Sequence, residues 1–589
     1  MKLSFTKSWT VILALLALAF SAIGVTPAYA DSTIIVNSTA DNTTPDSSCT
    51  LREAIANADN NAATHAECIA GSGNDTILFH SSLGTATITL GSQLPTIADG
   101  AGLTIDGNNR ITLSGNNSVR VFNVTGGGAL TLQNISVTDG GVTNGSGLRN
   151  SSGGTVTITH SVFSNNRFGS GVENWGTLTI LRSAFLNNTA TTDGGGVWNS
   201  GTLTIANSTF SNNSANYGGG VMNNSGTATI LNSTFSGNTA STGGGVATYK
   251  GGSTAPKTTI RNTILANNAI DSDCWNHEAG GGILIGGNNI IETTSTCASI
   301  ATLTSDPNLG SLTGSPAYFP LTAGSPAIDA GDDTICAATP VSNKSQNGVT
   351  RPQDGNGDNT AVCDIGSYEA PDTFPPNVIS ITRLGTNPTN SDGVDFTVTF
   401  SEPVTGVDPT DFSLTTTGGI GGAFVAGLVV LGPTGYDVAV NSGTGDGAIR
   451  LDLKASGTGI QDLAGNPISG GFTGGESYTI DKTAPTVTMT SLASDPTHSS
   501  PILVTVQFSE TVTGFSVGDI LPGNGAVGNF TVVDGDTYTF DLTPSAPGLV
   551  TADIAADVAT DLAGNGNTVA TQFSRTYTMY NLFLPLILR

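Results

Sequence analysis

From about residue 150 the chain repeats a short block in which apolar residues alternate with threonine, the periodicity of a β-strand. The copies run Thr155-Val-Thr-Ile-Thr-His-Ser-Val-Phe163, Thr177-Leu-Thr-Ile-Leu-Arg-Ser-Ala-Phe185, Thr202-Leu-Thr-Ile-Ala-Asn-Ser-Thr-Phe210 and Thr227-Ala-Thr-Ile-Leu-Asn-Ser-Thr-Phe235. A divergent fifth copy ends Thr259-Ile-Arg-Asn-Thr-Ile-Leu265. Ile158, Ile180, Ile205, Ile230 and Ile260 are equivalent, at steps of 22, 25, 25 and 30, the last step containing an insertion from Tyr249 to Pro256. A second short strand follows a glycine cluster in each copy, at Gly171-Val172, Gly196-Val197, Gly220-Val221 and Gly245-Val246. Two or three short strands per ~25 residues, separated by Gly and Asn turns, predict one coil of a parallel β-solenoid.

Each Phe (or Leu265) is followed three residues later by Asn: Asn166, Asn188, Asn213, Asn238 and Asn268. Stacked coils place equivalent side chains ~4.8 Å apart, close enough for amides to hydrogen-bond along the stack while the Phe column fills the interior. Weaker copies at Leu103–Gly107, Ile111–Gly115, Leu130–Val137 and Gly282–Ile291 extend the array. Together these predict roughly seven to nine coils, a rod of about 35–45 Å. Open ends need covering. The Ala-rich amphipathic patch Cys49–Ala58, with Leu51 and Ile55 one turn apart, is the predicted helical cap.

Composition agrees. Only 11% of the 589 residues are charged and 77 are Gly, without a Gly-X-Y period. The formal charge of −26, with no basic stripe, argues against nucleic acid and anionic membranes as partners. Lys2, Lys7, the apolar run Val11–Phe20 and Ala28-Tyr29-Ala30 read as a signal peptide over 1–30, predicting a secreted or cell-surface protein with no transmembrane span after cleavage. In an exported chain an even number of cysteines predicts disulfides. The six are Cys49, Cys68, Cys274, Cys297, Cys336 and Cys363. Sequence alone leaves the connectivity open among 15 arrangements, local closure of each near-neighbour couple being the simplest.

Beyond Phe374-Pro375-Pro376 the texture changes. Val394–Val404 recurs as Leu503–Val512, Asp462-Leu-Ala-Gly-Asn466 as Asp561-Leu-Ala-Gly-Asn565, and Tyr478-Thr as Tyr577-Thr, two ~100-residue all-β copies of the kind that form sandwiches. The predicted boundaries are a cap over 31–100, coils over 101–300, a closing segment over 301–372, Ig-like domains over 373–482 and 483–579, and a short apolar tail over 580–589.

Cys49-Thr-Leu-Arg-Glu-Ala54 resembles the CSLREA signature of exported bacterial proteins, with Thr50 in place of Ser. Ser325-Pro-Ala-Ile-Asp-Ala-Gly331, Arg351-Pro352 and Cys363-Asp-Ile-Gly-Ser-Tyr-Glu369 resemble the closing segment of choice-of-anchor Q surface proteins. The bracketed coils resemble polymorphic outer-membrane protein and pectate-lyase-like repeats, and the last two modules resemble bacterial Ig-like domains. The resemblance implies an all-β chain: a right-handed parallel β-helix followed by two Ig-like β-sandwich domains, at the cell surface, with no defined reaction.

For chemistry, the coils over 121–270 carry few acidic residues: Asp139, Glu173 and Asp193, at different places in the repeat, so no carboxylate column is expected. The stretch Asp271, Asp273, Trp275, His277, Glu278 is the candidate ligand-binding loop, its tryptophan suited to stacking on a sugar. Asp354, Asn356 and Asp358 space oxygen ligands as a Ca²⁺ loop begins, though the later Glu369 falls beyond the expected offset. Calcium is the one cofactor considered. The expected function is adhesion, with an extracellular glycan or surface protein as partner. A polysaccharide lyase or hydrolase, and a passive surface-layer protein, are the alternatives.

Overall fold

The computed structural model describes residues 31–580 apart from Ser253 and Asp271. The expected signal peptide and residues 581–589 of the apolar tail therefore lie outside the described residues, as does Asp271 of the candidate loop. The chain divides into two compact units, meeting in sequence at Asp372 and Thr373.

The first unit is a parallel β-solenoid of about eight turns. The Thr-x-Thr-Ile strands stack in the register read from the sequence, Ile158 beside Ile180, Ile205, Ile230 and Ile260. The phenylalanines form an internal column with ring separations of 5.2, 4.7 and 4.6 Å from Phe163 to Phe235. A second face consists of short parallel strands, Phe122–Val124, Leu148–Asn150, Val172–Asn174, Val197–Asn199, Val221–Asn224, Val246–Tyr249 and Cys274–Asn276. A third holds five shorter strands from Arg167–Phe168 to Ala269–Ile270.

Two ladders of buried asparagines run through the corners. Asn166, Asn188, Asn213 and Asn238 each donate an amide N–H to the next Oδ1 at 2.8–2.9 Å, ending on Asn268. A second ladder, absent from the sequence reading, runs Asn150→Asn174→Asn199→Asn223 at 2.7–2.8 Å and ends on Thr258 Oγ1. The glycines before the inner valines have a steric reason. A Cβ on Gly220 would lie 2.5 Å from the Gly245 carbonyl oxygen and 2.7 Å from the Phe235 ring, so this column lets the coils approach.

The N-terminal end is closed by helix Leu51–Asp59, whose Leu51, Ala54, Ile55 and Ala58 join the solenoid core. Thr50 and Glu53 form its capping box. Arg52 reaches Asp41 and the Ser92 and Gln93 carbonyls, and a disulfide ties Cys49 to Cys68. The other end is closed by the 3₁₀ turn Ser295–Ile300, anchored by Cys274–Cys297, with Ile300 in the core. The third disulfide, Cys336–Cys363, lies in the closing segment.

That segment lies along the flank of the coils. Gln346 bonds Ser183 and Thr209, Ser367 bonds Thr209 and Thr234, and Gly366 N–H donates to the Asn262 carbonyl, so four successive coils are held. Gly366 has φ +103°, and a Cβ there would sit 2.8 Å from Ile264 Cδ1. The segment is organised around Arg351, whose guanidinium is fully buried with Glu369 at 2.8 Å and donates to the Lys344, Asp364, Gly366 and Tyr368 carbonyls. The guanidinium acts on two nearby carboxyls, Glu369 and Asp364. Burial pushes Asp364 up to about 7 and Asp329 to about 6, the latter also opposed by Asp354 and Asp358, and burial raises Glu369 as well.

An acid whose pKa is raised on folding stabilises most when protonated. Its contribution is complete below the unfolded value near 4 and is lost as pH climbs through the folded value. The closing segment is therefore expected to melt at a higher temperature at pH 5 than at pH 8. Calorimetry across that range checks this, and a midpoint that rises with pH would refute it.

In the second unit two separate cores form, one around Phe396, Phe400, Ile449 and Leu451 and the other around Val504, Phe508, Phe540 and Ile554. Each lies between a four-stranded and a three-stranded antiparallel sheet with matching strand order, over 378–480 and 487–577.

Candidate functional site

On the second face of the solenoid, inward valines and asparagines alternate with one outward residue per coil. In register these are Arg149, Glu173, Trp198, Met222, Ala247 and Trp275, one column across six coils. Tyrosines from strand ends complete an aromatic surface over it. Tyr217 lies 6.0 Å from Tyr249 and 5.9 Å from Trp275, two strands away. Tyr249 and His277 stack at 4.8 Å and 11°, and His277 meets Trp275 at 5.4 Å and 14°. Met222 and Ala247 are buried although they point outward, while Trp175 and Tyr217 are about two-fifths exposed.

At the other end of the column Trp175 and Trp198 rest 4.8 Å apart beside a groove of about 360 Å³. Arg149, Glu173 and Asp193 line it with both indoles. Glu173 Oε1 accepts a 2.9 Å hydrogen bond from Trp175 Nε1, and Oε2 faces Arg149 Nε at 3.5 Å. Asp193 precedes the Gly194 turn, where φ is +67° and a Cβ would meet the Trp198 backbone at 2.8 Å, which sets the carboxylate next to that indole. Burial raises the Asp193 pKa. Glu173 and Asp193 form no column, yet the fold brings them to one groove; repeat position alone does not reveal this, because one sits on a strand and the other just before the equivalent strand of the next coil.

The residues singled out in the candidate loop separate. Asp273 is buried and takes the place of the next ladder asparagine: Oδ1 accepts from the Asn268 amide at 2.7 Å and Oδ2 from Thr293 Oγ1 at 2.6 Å. Trp275 and His277 lie in the aromatic surface, and Glu278 is exposed on the 3₁₀ turn Glu278–Gly280. Residues missed by the sequence reading are Trp175, Trp198, Tyr217, Tyr249 and Arg149. A signal existed: reading the residue after each Gly-Val pair as a column yields Glu173, Trp198, Met222 and Ala247.

In the Asp354–Asp358 loop the carboxylates are engaged internally. Asp354 accepts from the Gly357, Asp358 and Asn359 N–H groups, and Asp329 accepts from Gly355 and Asn356. Among the described residues, the clusters of acidic and histidine side chains near enough to share a cation do not include this loop; they include Asp481, Glu510 and Asp561 within the stretch 481–561, and Glu53, His65 and Glu67 beside the cap helix. Three carboxylate oxygens suit a hard cation such as Ca²⁺.

These features define a parallel β-solenoid joined in sequence to tandem Ig-like sandwiches. Residues 481–578 match the family model of a bacterial Ig-like domain. Among solved structures the chain is similar to FdeC, an Escherichia coli adhesin, at 14% identity over 37% of this chain and 68% of that one, with a TM-score of 0.22. It is similar to Yersinia pseudotuberculosis InvD at 14% over 35% and 60% (TM-score 0.19), and to the adhesin InvE of that organism at 16% over 34% and 58% (TM-score 0.14). Comparison with curated proteins returns no match.

Proposed function

We propose that this is an extracytoplasmic, adhesin-like protein that holds glycans on the aromatic face of its solenoid. The observation that carries the reading is the surface of Tyr217, Tyr249, Trp275 and His277, side chains from successive coils stacked on the outside of a rigid rod. Flat rings with polar edges suit the alternating C–H faces and hydroxyls of a sugar chain. Three disulfides and the similarity of Cys49–Ala54 to an export-associated signature support an oxidising compartment. Among the described residues, no helix is long and apolar enough to cross a membrane.

Glycan arrays and affinity electrophoresis with the full chain test the proposal. Trp275→Ala is expected to weaken retention about thirtyfold, the effect of losing an anchor worth about 2 kcal/mol. Retention unchanged in Trp275→Ala and Tyr249→Ala would sink it. A hydrolase is the second reading, favoured by Glu173 and Asp193 sharing one groove. New reducing ends lost in Asp193→Asn would select it.

A further inference from the structure

The capping box of the helix Leu51–Asp59 leaves one buried oxygen unused. Glu53 is fully buried, and its Oε2 accepts from Thr50 N–H at 3.0 Å and from Thr50 Oγ1 at 3.1 Å. Its Oε1 has no hydrogen-bond partner among the described residues. Capping explains one carboxylate oxygen and not the other, and a buried acceptor left unpaired is costly.

Two further ligand-type side chains converge on this carboxylate. Glu53, His65 and Glu67 each bring a nitrogen or a carboxylate oxygen to within 4.8 Å of the other two. The helix itself arranges them. Asn57 lies one turn beyond Glu53 on the same face, is fully buried, and holds the following loop. It accepts from the His65 N–H at 2.7 Å and donates to the His65, Cys68 and Ile69 carbonyls at 2.9–3.2 Å. The Cys49–Cys68 disulfide fastens the same loop to the start of the helix. Glu53 is thus fixed on a rigid element, while His65 and Glu67 are partly exposed on a loop clamped beside it.

The charge and the donor set narrow the occupant. Arg52, the neighbouring base, is turned to Asp41 and to the Ser92 and Gln93 carbonyls. Two carboxylates drawn this close repel each other unless a cation lies between them. Ca²⁺ and Mg²⁺ take oxygen ligands. An imidazole nitrogen beside two carboxylates suits a borderline divalent metal, above all Zn²⁺, at ~2.0–2.2 Å from each ligand. Bonds of that length set tetrahedral ligands about 3.4 Å apart, which His65 and Glu67 reach by a small movement toward Glu53. A bare ion is smaller than water, and the two partly exposed ligands give it an entry from solvent.

We propose that Glu53, His65 and Glu67 form a Zn²⁺ site, with water as the fourth ligand, that clasps the loop over 65–68 to the cap helix. The ligands meet only when helix and loop are docked, so metal binding stabilises the covered end of the solenoid.

The experiment is calorimetric titration of the untagged full chain, freed of metal by chelation, with Zn²⁺ alone and then in competition with Ca²⁺. Glu53→Gln keeps an acceptor for the capping box, since glutamine serves at that position, and removes the charge. His65→Ala removes a partly exposed ring whose backbone Asn57 still holds, and guards against a folding defect in the first variant. Each variant is expected to weaken Zn²⁺ binding at least about tenfold. Hydrogen exchange over residues 50–70 should slow on adding Zn²⁺ to the parent chain and not to His65→Ala. Zn²⁺ affinity unchanged in both variants overturns the proposal. So does displacement of Zn²⁺ by an equal concentration of Ca²⁺, or the absence of Zn²⁺ binding to the parent chain.

Discussion

Arg351→Met is expected to release the closing segment from the solenoid at a cost of about 3–5 kcal/mol, the range for removing one partner of a buried ion pair. The side chain makes five hydrogen bonds at once, to the Glu369 carboxyl and to the carbonyls of Lys344, Asp364, Gly366 and Tyr368. Methionine fills similar volume and satisfies none of them. Among the described residues, Glu369 would lose its buried counter-charge and retain the Asp364 and Gln353 N–H groups. Glu369→Gln should cost less, since the four carbonyls keep their donor. Hydrogen-exchange mass spectrometry gives the clearest readout: residues 340–370 should exchange faster in Arg351→Met while the Phe163–Phe235 coils stay protected. Uniform loss of protection over the whole solenoid would show that the segment and the coils unfold as one unit, contrary to this expectation.

The second large effect is expected at Asn213. Its Nδ2 donates to the Phe185 carbonyl at 2.8 Å and to Asn238 Oδ1 at 2.9 Å, while its Oδ1 accepts from the Asn188 backbone at 3.1 Å and side chain at 2.8 Å. Asn213→Ala therefore strands groups on the two neighbouring coils inside a site with no exposure. At about 1–3 kcal/mol per buried unsatisfied group, offset by some relaxation, the loss should be about 4 kcal/mol. Asn216→Ala, exposed on the short strand Ser214–Tyr217 with one 3.3 Å side-chain bond, is the matched control and should shift stability by less than about 0.5 kcal/mol. Urea midpoints of the two variants decide the matter; a drop under about 1 kcal/mol for Asn213→Ala would show that water replaces the lost amide.

The coils were readable because their determinants are periodic. Ile158 through Ile260 and Phe163 through Phe235 repeat at the spacing of one turn, and stacking forces each into contact with its own kind. The cap helix was readable from the spacing of Leu51 and Ile55, both in the core. The aromatic surface was not, because it mixes two kinds of position. Trp198 and Trp275 come from strands, Tyr217 ends a strand on a different face, and Tyr249 ends its own strand beside the insertion. No single period collects them. Asp273 misled for a related reason: in sequence it sits among ligand-like residues, and only the arrival of Thr293 and Asn268 at its two oxygens makes it the last member of the ladder. The closing segment resembled an end cap in sequence because its Cys, Arg and Gly positions fix its own shape. Its contacts with Thr209, Thr234 and Asn262 depend on threonines and an asparagine that occur throughout the coils.

The flank attachment has a mechanical consequence. A stack of coils pulled from its last turn would peel one coil at a time, each set of hydrogen bonds bearing the whole tension in sequence. Here the polypeptide leaves the first unit through a segment fastened to four coils side by side, at Ser183, Thr209, Thr234 and Asn262. Tension entering near residue 372 is divided among those attachments as shear, and the terminal coil, pinned by Cys274–Cys297, is bypassed. The rod is thus spliced, like a rope joined along its length, and resists unravelling under drag.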